Sequence, residues 1–111
     1  MHRIGFLGAG NMAYAIAGAI SEKLNNMVIV PFDVSQQRIE LFKSSFKNVE
    51  PAVSAEALAD CDVVFLAVKP QMMSEAVEPI KNFDGLVISI ATGLKISFFE
   101  KLMPEARIVR V

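Results

Sequence analysis

Ile4-Gly5-Phe6-Leu7-Gly8-Ala9-Gly10-Asn11-Met12-Ala13 is the stretch that decides how the rest of the chain is read. Its apolar start predicts a short strand, Arg3–Leu7, and its glycines predict a tight turn. The small residues that follow predict a helix from about Gly10 to Leu24. An export signal or membrane anchor is the rival reading, because Ile4 to Ser21 is 18 residues without a charge, preceded by His2-Arg3. Gly5, Gly8, Gly10, Gly18 and the amide of Asn11 interrupt that run, and its most apolar part, Met12–Ile20, is too short to span a bilayer. The expectation is strand, turn and helix, with no membrane partner.

The same alternation continues outward. Met27–Phe32 is a short β-branched run, with Pro31 expected to make it short or irregular. Ser35 is placed to cap a helix over Gln36–Phe46. A weak strand limited by Pro51 is expected at Val49–Val53, then a short helix over Ala55–Asp60 capped by Ser54. Asp62–Val68 is the strongest strand, apolar without alternation, as a strand covered on both faces requires. Pro70 opens a helix to about Glu78, Leu86–Ile90 is another buried strand, and Ser97 to Glu100 has capping-box spacing for a helix to Met103. Ala106–Val111 closes the chain, with Arg107 and Arg110 suited to a sheet edge. About six strands alternating with helices predict an α/β protein with a doubly wound parallel sheet, order 3-2-1-4-5-6, in one domain over residues 1–111.

Composition limits the function. The 111 residues are 53% hydrophobic and 21% charged, with a net charge of −1 and no basic stripe, which argues against a nucleic-acid partner. The single Cys61 excludes an internal disulfide and a thiolate metal cage, and suits a reducing cytoplasm. No metal-ligand set is predicted. One His, one Tyr, one Thr and no Trp make the chain poor in groups that do chemistry.

Its chemistry is expected from the glycine turn. Gly8-Ala9-Gly10-Asn11-Met12-Ala13 reads G-x-G-x-x-A between a strand and a helix, the context of a dinucleotide site in a Rossmann-type sheet. Gly8 permits the turn, Gly10 admits a pyrophosphate, and Ala13 lets the helix sit close to the first strand. Amides of Gly10 to Met12 are expected to face the phosphates. Asp33, 23 residues after Gly10, lies where such folds read the adenosine ribose and favours NAD over NADP. Ser35 and Arg38 leave NADP open, by holding a 2′-phosphate, unless they are a helix cap and a solvated helix face. Ser54 belongs near the adenosine end or is a plain cap. Ala67, Val68, Lys69 and Pro70 follow a central strand and so border the ligand, with Lys69 steadying a ribose or phosphate oxygen or simply exposed. Ala91, Thr92 and Gly93 are placed beside the nicotinamide half. His2 precedes the first strand, at the wrong end of the sheet, and is expected on the surface.

These residues resemble the pyrroline-5-carboxylate reductase family. Ile4–Ala13 is similar to that family's opening, and Asp62-Val63-Val64-Phe65-Leu66-Ala67-Val68-Lys69-Pro70-Gln71 to its most distinctive internal stretch. Ile88-Ser89-Ile90-Ala91-Thr92-Gly93 and Ile108-Val109-Arg110-Val111 follow in the family's order. Thr92 stands where the family usually has a second alanine, and Asp33 is less usual in a family that often uses NADPH. The resemblance implies hydride transfer from NADPH or NADH to the C=N carbon of pyrroline-5-carboxylate, giving proline. It implies that Gly8 to Met12 hold the pyrophosphate, Ser35 the adenosine ribose or its phosphate, and Ala67 to Pro70 the ribose and nicotinamide side. It also implies a following helical domain, entered through Met-Pro-Asn, that supplies the dimer interface, much of the substrate pocket and the proton donor. The chain therefore reads as the cofactor-binding half of a homo-oligomeric enzyme, without a catalytic residue of its own and inactive or nearly so when isolated. A stand-alone nucleotide-sensing module and a related β-hydroxyacid or imine reductase are the alternatives, and the Val68-Lys69-Pro70-Gln71 turn argues against the second.

Overall fold

A computed structural model describes residues 2–111. It contains β1 (His2–Leu7), α1 (Asn11–Lys23), β2 (Met27–Phe32), α2 (Gln36–Ser45), β3 (Val63–Leu66), α3 (Met73–Val77), β4 (Leu86–Ser89), α4 (Ile96–Leu102) and β5 (Arg107–Arg110). The strands form one five-stranded parallel sheet in the order β2-β1-β3-β4-β5. This is a Rossmann-type α/β architecture, with β1 in the interior of the sheet and the arginines of β5 on an edge.

The expected strand at Val49–Val53 is reduced to a single parallel bridge, Val49 to Ile29, on the outer side of β2. Pro31 supplies the reason. The Ile29 amide donates to Asn48 O at 2.9 Å, Glu50 N donates to Ile29 O at 2.9 Å, and Ala52 N donates to Pro31 O at 3.0 Å. The bond that belongs between the last two, from the Pro31 amide to Glu50 O, is missing because proline has no N–H. Removing this strand turns the expected 3-2-1-4-5-6 into the observed order without moving any other strand. Pro31 does not shorten β2 itself, contrary to expectation, because it aligns with Phe6 with its missing donor on the side away from β1.

Two apolar layers hold the sheet. Ile4, Phe6 and Ile29 face α1 and α2, where Ala13, Ala17 and Phe42 close over them. Alanines at 13 and 17, one turn apart, bring α1 near the strands, as the sequence predicts for Ala13. The Phe6 and Phe65 rings stack at 5.0 Å, and Phe42 meets the rings of Phe6, Tyr14 and Phe46. On the opposite face Leu7, Val30, Val64, Leu66 and Val87 pack against Leu58, Met73, Val77, Ile80, Phe99 and Met103.

The connecting helices differ from expectation where proline or a buried aromatic sets the phase. Pro70 and Pro79 divide the expected Pro70–Glu78 helix into a 3₁₀ turn at Pro70–Met72, the short α3, and a second 3₁₀ turn at Glu78–Ile80. Ala55–Asp60 is a 3₁₀ helix, and no side chain of Ser54 caps it. Ser97 does not open α4; Lys95 is its N-cap, with Phe98 N donating to Lys95 O at 3.0 Å, and this phase buries Phe99 completely. Ser35 does cap α2, accepting from Arg38 N.

Cys61 lies in the core at 6% exposure, against Gly5, where an added Cβ would stand 3.0 Å from its Sγ. Burial pushes its thiol from 9.0 up to about 11, and Arg3 offsets only part of this. Because the folded thiol holds its proton more tightly than the unfolded one, the associated stability is present below pH 9 and is lost as pH rises toward 11. Urea unfolding compared at these two pH values is expected to show that loss, and Cys61→Ala to flatten the dependence. Phe42→Ala is expected to cost about 3–5 kcal/mol in the same assay at neutral pH.

Candidate functional site

The site is built where β1 leaves the sheet. Gly8 N donates to Phe32 O at 2.9 Å and Ala67 N donates to Leu7 O at 2.8 Å, so the end of β1 is fixed to both neighbouring strands. The chain must then turn inside that narrow space. Gly8 does so at φ +102°, and a Cβ there would lie 2.8 Å from the Ala67 carbonyl oxygen. Gly10 is different: a Cβ at that position would meet nothing within 4 Å. The fold needs a glycine at residue 8 and does not need one at residue 10.

Gly10 is also the N-cap of α1, and it provides no side-chain cap. The first turn of α1 contains no acidic residue, so the positive end of this 13-residue helix is offset by no charge within the helix itself. Tyr14 N donates to Gly10 O at 2.9 Å, and the amides of Asn11, Met12 and Ala13 precede any intrahelical acceptor. The chain passes from β1 to α1 on one face of the sheet and from β3 to α3 on the other. The crevice between β1 and β3 is therefore the topological switch point, where open α/β sheets bind ligands.

A cleft of ≈ 450 Å³ occupies this position. It brings together Gly8, Gly10, Asp33, Ala67, Val68 and Lys69, all anticipated from sequence. Its far wall is Met72, Glu75, Ala76 and Pro79, which sequence reading missed. The signal was present in their spacing of three and four residues directly after the Val68-Lys69-Pro70 turn, hidden by the prolines that break the helix. Pro70 itself does not line the cleft but starts the turn that places Met72 there.

Asp33 binds backbone with both oxygens. Oδ2 accepts from Ala9 N at 2.7 Å and Oδ1 accepts from Ser35 N at 2.8 Å, which ties the glycine turn to the end of β2. Arg38 does not lie on a solvated helix face. Its side chain folds under the glycine turn and donates from Nε to Ala9 O at 2.6 Å. Ala9 is fully buried and both its backbone groups are taken, so it shapes the turn rather than lining the cleft.

Other anticipated residues lie apart from the cleft. Ser54 is half-buried beside it, with its carbonyl accepting from Ala57 N, while its neighbour Ala55 lines the wall. Ala91 is buried and donates from its amide to Ser89 Oγ at 3.3 Å. Thr92 and Gly93 are exposed, and Gly93 borders a separate depression with Lys95 and Phe98. His2 is exposed, 3.8 Å from Asp62 at the opposite end of the strands. Among the described residues no group of three His, Cys, Asp or Glu side chains could hold a metal ion, and no helix is long and apolar enough to cross a membrane.

Comparison with known proteins places this geometry among reductases. A family model described as NADP oxidoreductase, coenzyme F420-dependent, matches residues 3–93. Pyrroline-5-carboxylate reductase of Aquifex aeolicus is 35% identical over 111 residues, covering 98% of this chain and 41% of the relative. A solved pyrroline-5-carboxylate reductase from Coxiella burnetii superposes with a TM-score of 0.81 at 32% identity, over 96% of this chain and 42% of that one. Pyrroline carboxylate reductase of Plasmodium falciparum, solved with NADP bound, superposes with a TM-score of 0.80 at 28% identity, over 98% and 41%. The chain thus spans about 41% of the length of the curated relative it matches.

The two glycines are expected to separate on mutation. Gly8→Ala forces an alanine into positive φ against a carbonyl and should lower stability in urea by about 2–3 kcal/mol or more. Gly10→Ala should cost under about 1 kcal/mol, the loss from a poorer N-cap alone.

Proposed function

Because this chain belongs to the NADP oxidoreductase, coenzyme F420-dependent family, and is similar along its length to pyrroline-5-carboxylate reductases, we propose that it is the dinucleotide-binding domain of such a reductase. The observation that carries this reading is Gly10. It is a glycine that nothing in the protein requires, open to a cleft at the switch point and at the uncapped start of α1. A ligand backbone is what its missing side chain would admit, and the unpaired amides favour an anionic one.

The residues fit a nicotinamide dinucleotide, NADP or NAD. The amides from Gly10 to Met12 take the pyrophosphate, and Gly8 and Ala9 set the turn that presents them. Asp33 lines the adenosine side, with Ser35 and Ser54 near it and Arg38 beneath the glycine turn. Ala67, Val68, Lys69 and Pro70 form the ribose and nicotinamide side, where Lys69 is the one cation lining the cleft among the described residues. Ala91, Thr92 and Gly93 follow β4 outside the cleft, and they would meet the nicotinamide end only where the cofactor extends beyond it. The cofactor supplies the hydride, delivered to the C=N carbon of pyrroline-5-carboxylate to form proline. The protein contributes position and exclusion of water, through the apolar wall of Met72, Ala76 and Pro79.

No side chain in the cleft is assigned as catalytic acid or base. The remainder of the reductase, a helical domain, supplies the substrate pocket and the subunit interface of a homo-oligomer, and residues 1–111 belong to its dinucleotide-binding domain. This is a cytoplasmic activity without nucleic-acid or membrane partners. The apolar character of β4 and β5 on one face supports the presence of a further layer. Leu86, Ile88 and Val109 align with Phe65 and Val63 on the side that α1 and α2 cover only over β1 to β3, and Val109 remains 46% exposed.

Titration with NADH and with NADPH, followed by cofactor fluorescence, is expected to show saturable binding. Gly10→Val should weaken it at least 100-fold while far-UV circular dichroism stays unchanged, because the side chain fills the pyrophosphate position and not the core. Absence of binding by both cofactors at millimolar concentration would overturn the reading.

A further inference from the structure

We propose that Arg38 is a positioning residue that aims the Gly10 amide into the cleft, and not a reader of the cofactor's 2′-phosphate; this rests on the dinucleotide reading above. The two peptide planes that flank Ala9 are both held from outside the turn. Asp33 Oδ2 takes the Ala9 N–H at 2.7 Å, and Arg38 Nε donates to the Ala9 carbonyl at 2.6 Å. No peptide bond among the described residues is cis. In a trans peptide the carbonyl and the following N–H point in opposite directions. Fixing the Ala9 carbonyl on Arg38 therefore sends the Gly10 N–H the other way, from the fully buried side of the turn to its exposed side.

The guanidinium is at the same time poorly placed to grip a phosphate. Arginine binds phosphate bidentately through Nε with Nη2 or through Nη1 with Nη2. Here Nη2 is buried, without an acceptor among the described residues, and Nε is occupied by Ala9. Both bidentate edges are closed. A buried Nη2 with an unmet donor on this half-buried arginine is an unfavourable arrangement, and the bond to the Ala9 carbonyl is the one polar interaction its side chain makes among the described residues. Ser35 fits the same scheme: its amide binds Asp33 and its hydroxyl accepts from Arg38 N at 3.4 Å, so the start of α2 is registered against the glycine turn.

The test is Arg38→Met, which keeps the apolar stem, titrated with NADH and NADPH separately. Both affinities should fall about tenfold, with their ratio unchanged within twofold. ³¹P NMR of the bound NADPH should show its pyrophosphate resonances moved and its 2′-phosphate resonance unmoved, a signature that loss of stability alone would not produce. A selective loss of NADPH binding, unchanged binding of both, or unmoved pyrophosphate resonances would each overturn the proposal. If Arg38→Met fails to fold, Arg38→Lys, which retains a donor, carries the same readouts with a smaller equal loss. Failure of the unmutated chain to bind either cofactor is a separate outcome, and it removes the reading on which the proposal rests.

Discussion

The narrow exit from the sheet at Gly8 governs the structure around it. β1 is interior, hydrogen-bonded to β2 and β3 up to its last residue, so the chain must leave between two neighbours. Only 2.8 Å separates an ideal Cβ at Gly8 from the Ala67 carbonyl oxygen, and the residue adopts φ +102°. That turn delivers α1 directly above the switch point with its amino end open. It also sets the distance between the glycine turn and the turn after β3, which line the cleft side by side. The alanines at 13 and 17 follow from the same constraint, since a helix that starts so near the sheet must have small residues beneath it.

The sequence discloses the parts of this arrangement that depend on local physics. Glycine at residue 8, the apolar run into Leu66 and the alternation of strand with helix are each visible from neighbouring residues. The parts that depend on distant partners are less legible. Val49–Val53 has strand composition, yet its ladder is interrupted by a proline 18 residues earlier, on another strand. Ser97 has capping-box spacing, but burial of Phe99 selects a helix that begins at Lys95. Arg38 is ordinary on a helical wheel, and only the packing of α2 under the glycine turn gives it a buried role. In each case a tertiary contact outweighs the local preference of a few tenths to about one kcal/mol that the sequence pattern expresses.

Asp33 shows a subtler limit. Its position at the end of β2 was readable, and the spacing from Gly10 is that of a ribose-reading carboxylate. In the structure its two oxygens already accept two backbone amides, one on the glycine turn and one at the start of α2. A carboxylate oxygen has two lone pairs, so these bonds leave room for a hydroxyl without requiring one. Charge at this position therefore serves the protein before it serves a ligand.

The scarcity of reactive side chains follows from how such a site is made. In the reading proposed above its anion-binding groups are main-chain amides and a helix terminus, which any residue can supply once the backbone has the right course. Its specificity for shape comes from omitted atoms at Gly8 and Gly10, and its rigidity from Asp33 and Arg38 acting on the peptide groups of Ala9. None of this requires histidine, cysteine or a paired carboxylate in the cleft, and the single Cys61 is buried in the core with a thiol held neutral below pH 9. A site made from backbone leaves its trace in a sequence mostly as glycine. The proposal that Gly10 serves a ligand rests on its contrast with Gly8, since a Cβ at residue 10 would meet nothing within 4 Å among the described residues.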